Sequence, residues 1–393
     1  MKELNNKESN SSVKDYKNYS LIKNQVRNLL FKKRFLARLN HNPKSFILKR
    51  GAAVKPLQAD DKLLIERLKK FYTICDANFE GNKDSVWSGI FMRLHGEIHS
   101  AFVNADDKKI TDILRNPGGY NLFYGFENLS RDLLKSKRLE DILEPELTMD
   151  SLISLCEAVG VVPVANPESL KIRKAITPEI AIQFLEKEFG FELSFPNPFE
   201  GECGLKTKKG IISYRAIQAI YQAWKISQIV KDIPSPKVLE IGGGLGRTAY
   251  YSRQFGIRDY TIVDIPMSSL SQANFLGRVL PQNDLFLLGE SMQDGDTKLK
   301  LIHTNEFFSS GKKYDLIVNV DSLTELNIEV ARQYIRKIGE VGDIFLSINH
   351  ENNSFTVNSI CKENSRLLKL YRQPYWLRRG YVEELFQKND HNN

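Results

Sequence analysis

The stretch Val238-Leu239-Glu240-Ile241-Gly242-Gly243-Gly244-Leu245-Gly246-Arg247-Thr248 decides the fold. An apolar run of strand length ends at spaced glycines, and a helical pattern follows. A strand, a glycine turn and a helix bring bare backbone close to a nucleotide-like ligand at the carboxyl end of a sheet. Glycine permits both the turn geometry and the contact distances that a Cβ would block.

Dinucleotide-binding folds use the same device, so the spacing has to be compared with theirs. A GxGxxG motif counted from Gly242 needs glycine where Arg247 stands. Counted from Gly244 it finds Gly246 and then Ala249, the weaker variant. Glu240, two residues before the first glycine, tips the balance toward another pattern. Asp264 then closes the second apolar run, YTIVDI (260–265), where a carboxylate accepts both hydrogen bonds from a ribose diol.

Outward from this motif, KVLEI (237–241), YTIVDI, LFLLGE (285–290), DLIVNV (315–320) and DIFLSIN (343–349) alternate with helix-length segments. That alternation predicts an α/β fold, a parallel sheet covered by helices on both faces. A long helix is expected over 211–233, ahead of the first strand. Pro196-Asn197-Pro198 marks the expected boundary between residues 196–393 and a mainly helical N-terminal domain at 60–195. Helices are expected there near 61–78, 85–103, 126–136, 149–159 and 178–189.

The pattern Glu240-x-Gly242-x-Gly244-x-Gly246 resembles the first motif of class I S-adenosylmethionine-dependent methyltransferases. Five segments are similar to the sugar O-methyltransferases of bacterial polysaccharide gene clusters. They are NPFEGECGLKTKKGIISYRAIQAIYQAWKI (197–226), VLEIGGGLGRTAYYSRQFG (238–256), YDLIVNVDSLTEL (314–326), SINHE (347–351) and WLRRGYVEELF (376–386). The resemblance implies a Rossmann-like class I methyltransferase sheet preceded by a helical region. It also implies S-adenosyl-L-methionine as cofactor and methyl transfer to a hydroxyl of a sugar, sugar-nucleotide or lipid-linked glycan. Glu240, Gly242, Gly244, Gly246, Asp264, Ile265, Asn319 and Arg215 are the expected cofactor residues, with Arg215 reaching a carboxylate from the helix before the first strand.

A sugar hydroxyl is a poor nucleophile near neutral pH, so a base or a metal should take its proton. Candidates lie past the fourth and fifth strands: Asp321, Ser322 and Glu325, then Asn349, His350 and Glu351. His350 is the leading base because imidazole titrates near working pH. Asp321 is the second, or the group that orients His350, and Glu325 either joins them or caps a helix. Asp321, Glu325 and His350 could hold Mg²⁺, but no spacing demands it, and no metal is assigned. Trp376, Arg378, Arg379 and Tyr381 suit a sugar or phosphate contact, or equally a packed strand with solvated arginines.

Charge and composition set the outer limits. Apolar content of 41% and aromatic content of 10% are globular values. The net charge of +8 is not spread evenly: eleven bases and no acid lie between Tyr16 and Ala59, so the rest of the chain is mildly acidic. An acidic body argues against a nucleic-acid substrate. Residues 1–18 read as a disordered tail, and 19–59 as a basic amphipathic arm. That arm suits either peripheral contact with an anionic membrane or packing on the protein's own body.

No secretory signal pattern, no span-length apolar run and four scattered cysteines (Cys75, Cys156, Cys203, Cys361) predict a cytoplasmic protein, at most peripheral at the inner membrane surface. His95-Gly96-Glu97-Ile98-His99 resembles a zincin motif with its glutamate one place late, roughly 200° around a helix from His95. Two other readings stay open: a non-catalytic methyltransferase-fold module that assembles polysaccharide enzymes, and methylation of RNA or protein.

Overall fold

The computed structural model describes residues 49–52, 61–77, 89–126, 143–164, 176–292 and 298–389. The tail expected at 1–18, nearly all of the arm expected at 19–59 and all but the first residue of the helix expected at 126–136 lie outside the described residues.

Strand β1 (Arg50–Ala52) precedes helix α1 (Lys62–Ala77). A π-helical turn at Phe91–His95 then leads into α2 (Gly96–Val103), α3 (Asp107–Arg115), α4 (Glu144–Val159) and α5 (Pro178–Phe189). Gly160 and Gly190 end α4 and α5 in the left-handed conformation that glycine adopts without strain. The hairpin β2 (Cys203–Thr207) and β3 (Gly210–Ile212) takes β1 on its free edge. Ser213 then caps α6 (Tyr214–Ile229) by accepting from the Ala216 amide.

The large sheet follows. Its strands are β4 (Lys237–Ile241), β5 (Asp259–Asp264), β6 (Leu285–Leu287), β7 (Leu299–His303), β8 (Tyr314–Val320), β9 (Gly342–His350), β10 (Leu367–Pro374) and β11 (Tyr381–Lys388). Between them run α7 (Arg247–Gln254), α8 (Pro266–Val279), α9 (Thr304–Ser309), α10 (Ile328–Val341) and α11 (Val357–Cys361). The spatial order is β10-β11-β9-β8-β4-β5-β7-β6. The six strands from β9 to β6 pair in parallel, and β11 enters antiparallel beside β9. The α/β class is as the sequence implied: a mostly parallel, Rossmann-like sheet between helical layers.

Side-chain alternation explains why the sheet is covered twice. Val238, Ile262, Leu301, Val318, Leu346 and Ile348 face one core, and Leu239, Ile241, Val263, Ile317 and Phe345 face another. The first core also takes Leu68, Phe71, Ile98, Leu114, Leu152 and Leu185, so the N-terminal helices pack over that face. Asp61, buried just ahead of α1, ties them down. It accepts from Arg115 of α3 and Arg278 of α8, and Arg278 also lies over the Phe199 ring.

The run LFLLGE forms a strand only to Leu287. Gly289 then turns at φ 95°, and Glu290 folds back onto the Leu287 amide and Arg67. The strand Leu299–His303 is not marked by a continuous apolar run, because Lys300 interrupts it. That lysine is buried against Asp259 at 2.6 Å. No helix among the described residues is long and apolar enough to cross a membrane.

Candidate active site

The chain lays down β4 in the middle of the sheet, builds outward through β5 and β7, then returns to β8 on the other side. The crevice at the carboxyl ends of β4 and β8 is therefore a topological switch point, where open α/β sheets bind ligands. The glycine turn after β4, Asp264 at the end of β5 and Asn319 near the end of β8 lie at this end of the sheet.

Gly242, Gly244 and Gly246 have φ of 74°, 56° and 83°, all left-handed. The Gly242 amide donates to the Val263 carbonyl at 3.0 Å, joining the turn to the end of β5. A Cβ at Gly242 would lie 2.1 Å from Ser322 Oγ, and one at Gly246 would lie 2.8 Å from Leu276. At Gly244 nothing stands within 4 Å, so this turn of bare backbone borders open space.

Glu240 does not reach that space. It is buried under the turn, and Tyr260 donates to its Oε2 at 3.0 Å. Burial pushes its carboxyl up to about 7, against the pull of the Tyr260 hydrogen bond and with a further push from Asp264. Asp264 ends β5 at the crevice. Its Oδ1 accepts from the Ile265 amide at 2.9 Å and its Oδ2 from Gln272 Nε2 at 2.6 Å. The protein packed around it raises its carboxyl to about 7, although hydrogen bonds from Ile265, Gln272, Gly243 and Ser268 oppose the shift.

Asn319 is fully buried and works as a brace. Its Nδ2 donates to the Ile241 carbonyl and to Ser322 Oγ, and its Oδ1 accepts from Asn349 Nδ2 at 2.9 Å. Arg215 sits at the start of α6, where its Nη2 donates to the Gly125 carbonyl at 3.3 Å.

Past β8 the chain bends sharply. Asp321 adopts φ 56°, a left-handed conformation that costs a residue with a Cβ of order 1–2 kcal/mol. Its amide donates to the Ile348 carbonyl at 3.0 Å, fixing the bend to β9. Arg378 Nη1 and the Tyr381 hydroxyl both donate to its Oδ2, at 2.9 and 2.7 Å. Its buried Oδ1 accepts no hydrogen bond among the described residues, and His350 Nε2 lies 3.7 Å from it.

The His350 ring is oriented from its other nitrogen, because Nδ1 accepts from the Asn352 amide at 3.2 Å. In the neutral ring the proton then sits on Nε2, facing Asp321. Glu325 closes a short turn, Leu323–Glu325, four residues on. The structure thus brings Asp321 and His350 together, and adds Arg378 and Tyr381 from the far end of the chain.

Three neighbours escape the sequence reading: Gln272 behind Asp264, Tyr260 behind Glu240, and Glu202, which forms a buried ion pair with Arg247 at the end of the glycine turn. A signal for Gln272 existed. Helix α8 buries Ser268, Ser269, Ser271, Gln272 and Asn274, an unusually polar face directly after an acid. The HGEIH residues diverge: His95 meets the Asn121 carbonyl, Glu97 pairs with Lys109, and His99 meets Tyr72.

No family model matches the chain, and no curated protein matches it. Among solved structures it is similar to a glycopeptide N-methyltransferase complexed with sinefungin, at 15% identity and TM-score 0.34 over 44% of this chain and 94% of that one. It is also similar to magnesium protoporphyrin IX methyltransferase from Synechocystis PCC 6803 with bound SAM, at 14% identity and TM-score 0.32 over 44% and 84%. The mitomycin 7-O-methyltransferase gives 14% identity and TM-score 0.33 over 45% and 56%. Scores this low leave the fold assignment resting on the strand order and register of the chain itself.

Proposed function

We propose that this chain is an S-adenosylmethionine-dependent O-methyltransferase acting on a sugar hydroxyl, with the cofactor at the carboxyl ends of β4 and β5 and the acceptor over β8 and β9. The residues present suit the cofactor: Gly244 offers backbone next to open space, and the half-buried carboxylate of Asp264 ends β5 where a ribose diol could donate to it. Bound there, the cofactor supplies an electrophilic methyl group.

The observation that carries the reading is Asp321. A strained, left-handed carboxylate, with one oxygen saturated by Arg378 and Tyr381 and the other lacking a donor, is a proton acceptor held in place. The assignment of base therefore passes from His350 to Asp321. His350 keeps a positioning role, with its Nε2 proton toward Oδ1. Oδ1 is buried beside His350, so an acceptor hydroxyl would reach it where the His350 ring turns aside, donate to it and leave its proton on the carboxylate. Arg378 and Tyr381 keep the carboxylate from turning away. Glu325 remains a candidate beside the acceptor, and the basic arm at 19–59 a candidate membrane contact.

Transfer of tritiated methyl from S-adenosylmethionine to bacterial surface-glycan extracts tests this. The Asp321→Asn variant keeps a residue that tolerates the left-handed bend, and should lose about 10²–10⁴-fold in turnover. Its cofactor affinity should not change. Wild-type protein that folds and binds the cofactor but labels no glycan favours the assembly-module reading. Labelling of RNA or protein instead would reassign the acceptor.

A further inference from the structure

The connection between β10 and β11 stands over the same end of the sheet as Asp321, because Tyr381 pairs with His350 at the end of β9. It is closed by the Tyr375 amide donating to the Tyr381 carbonyl at 2.9 Å, and Gly380 turns at φ 88°. Tyr375 and Leu377 are buried in it, 3% and 6% exposed, while Trp376 between them is 48% exposed. Two inward anchors thus hold an indole outward in this connection. An outward indole offers a flat apolar face on which a sugar ring can stack.

Arg378, two residues on, lies over the Tyr381 ring with 3.9 Å from its guanidinium carbon to the ring centroid. Only its Nη1 is engaged by a carboxylate, that of Asp321; its Nε and Nη2 meet no hydrogen-bond partner among the described residues, and the side chain is 28% exposed. A guanidinium stacked on one face and fixed at one nitrogen has its remaining donors pre-aimed, a geometry that matches the oxygens of a phosphate or carboxylate. Arg215 adds to the positive field, since its charge and that of Arg378 both act on the phenols of Tyr214 and Tyr381.

Resting on the methyltransferase reading above, we infer that the acceptor is an anionic sugar: Trp376 stacks on the ring, and Arg378 receives its phosphate or carboxylate. A neutral glycan would leave the Arg378 donors dry and unpaired as the crevice fills, at a cost that selects against it.

Ligand-observed saturation-transfer NMR on the full chain tests this, with S-adenosylhomocysteine present and three probes: glucose 1-phosphate, glucuronate and methyl glucoside. Glucose 1-phosphate, glucuronate or both should bind, at least about tenfold more tightly than methyl glucoside. Preference between the two anions tells phosphate from carboxylate. Arg378→Gln should abolish the discrimination against methyl glucoside, whereas Trp376→Ala, at an exposed position, should weaken the anionic probe while retaining the discrimination. Cooperative thermal unfolding of each variant serves as the folding control. Equal binding of all three probes by wild type, no binding of either anion, or discrimination that survives Arg378→Gln overturns the inference. Failure of S-adenosylhomocysteine to bind the wild type instead overturns the methyltransferase reading, and the two failures are separately visible.

Discussion

Asp321 and Asp264 are both carboxylates at strand ends, yet their surroundings assign them different work. Asp321 has one oxygen without a donor and a conformational cost to explain, whereas Asp264 is half-buried and accepts from Gln272 and the Ile265 amide. Replacing Asp264 with Ala removes one or two hydrogen bonds to an uncharged diol, so S-adenosylmethionine affinity should fall by about 1–3 kcal/mol in a calorimetric titration. Equal affinity in the variant would remove Asp264 from the site. Both Asp264 and Glu240 are raised to about 7, chiefly by burial. The folded protein then holds protons that the unfolded chain has released, so the two groups reduce stability as pH rises from about 4 to 7. Glu240→Gln carries no such titration, and its stability relative to wild type should climb across that window in urea unfolding. A parallel pH dependence in the two proteins contradicts this. The glycine spacing and Asp264 were legible because backbone freedom and a strand-end acid are written in residue types. The partners of Asp321 were not, because Arg378 and Tyr381 lie nearly sixty positions away and reach it only through the antiparallel register of β11 on β9.

At the scale of elements, the parallel strands could be read from apolar runs because both faces are covered, and β4 was legible to the residue. The strand β7 was hidden by Lys300, whose burial depends on Asp259 across the sheet, and no local pattern announces such a pair. The junction between the N-terminal helices and α8 likewise rests on a long-range cluster. Burial raises the Asp61 carboxyl, but the hydrogen bonds and charges of Arg115 and Arg278 outweigh it and hold the group below its usual range. Asp61→Ala leaves Arg278 buried without its acid, and should destabilise the protein by about 3–5 kcal/mol in urea unfolding. A loss within experimental error would show that the cluster does not hold the two parts together.

The whole molecule shares one apolar core between the helical region and one face of the sheet, which runs from Ile65 to Tyr381. We propose Pro196 as the boundary between two parts whose described apolar side chains join in this core. A continuous core predicts a single cooperative unfolding transition, seen alike by circular dichroism and by tryptophan fluorescence. Two separated transitions would mean that residues 60–195 and 196–393 fold as independent units. We propose that the crevice at the carboxyl ends of β4 and β8, bordered by the end of β5, takes an adenosine-bearing sulfonium. A crystal soaked with S-adenosylhomocysteine tests it most directly. The ligand should lie against Gly244 with its ribose hydroxyls on Asp264; a ligand bound elsewhere, with Asp264 hydrogen-bonded to protein groups alone, would contradict it.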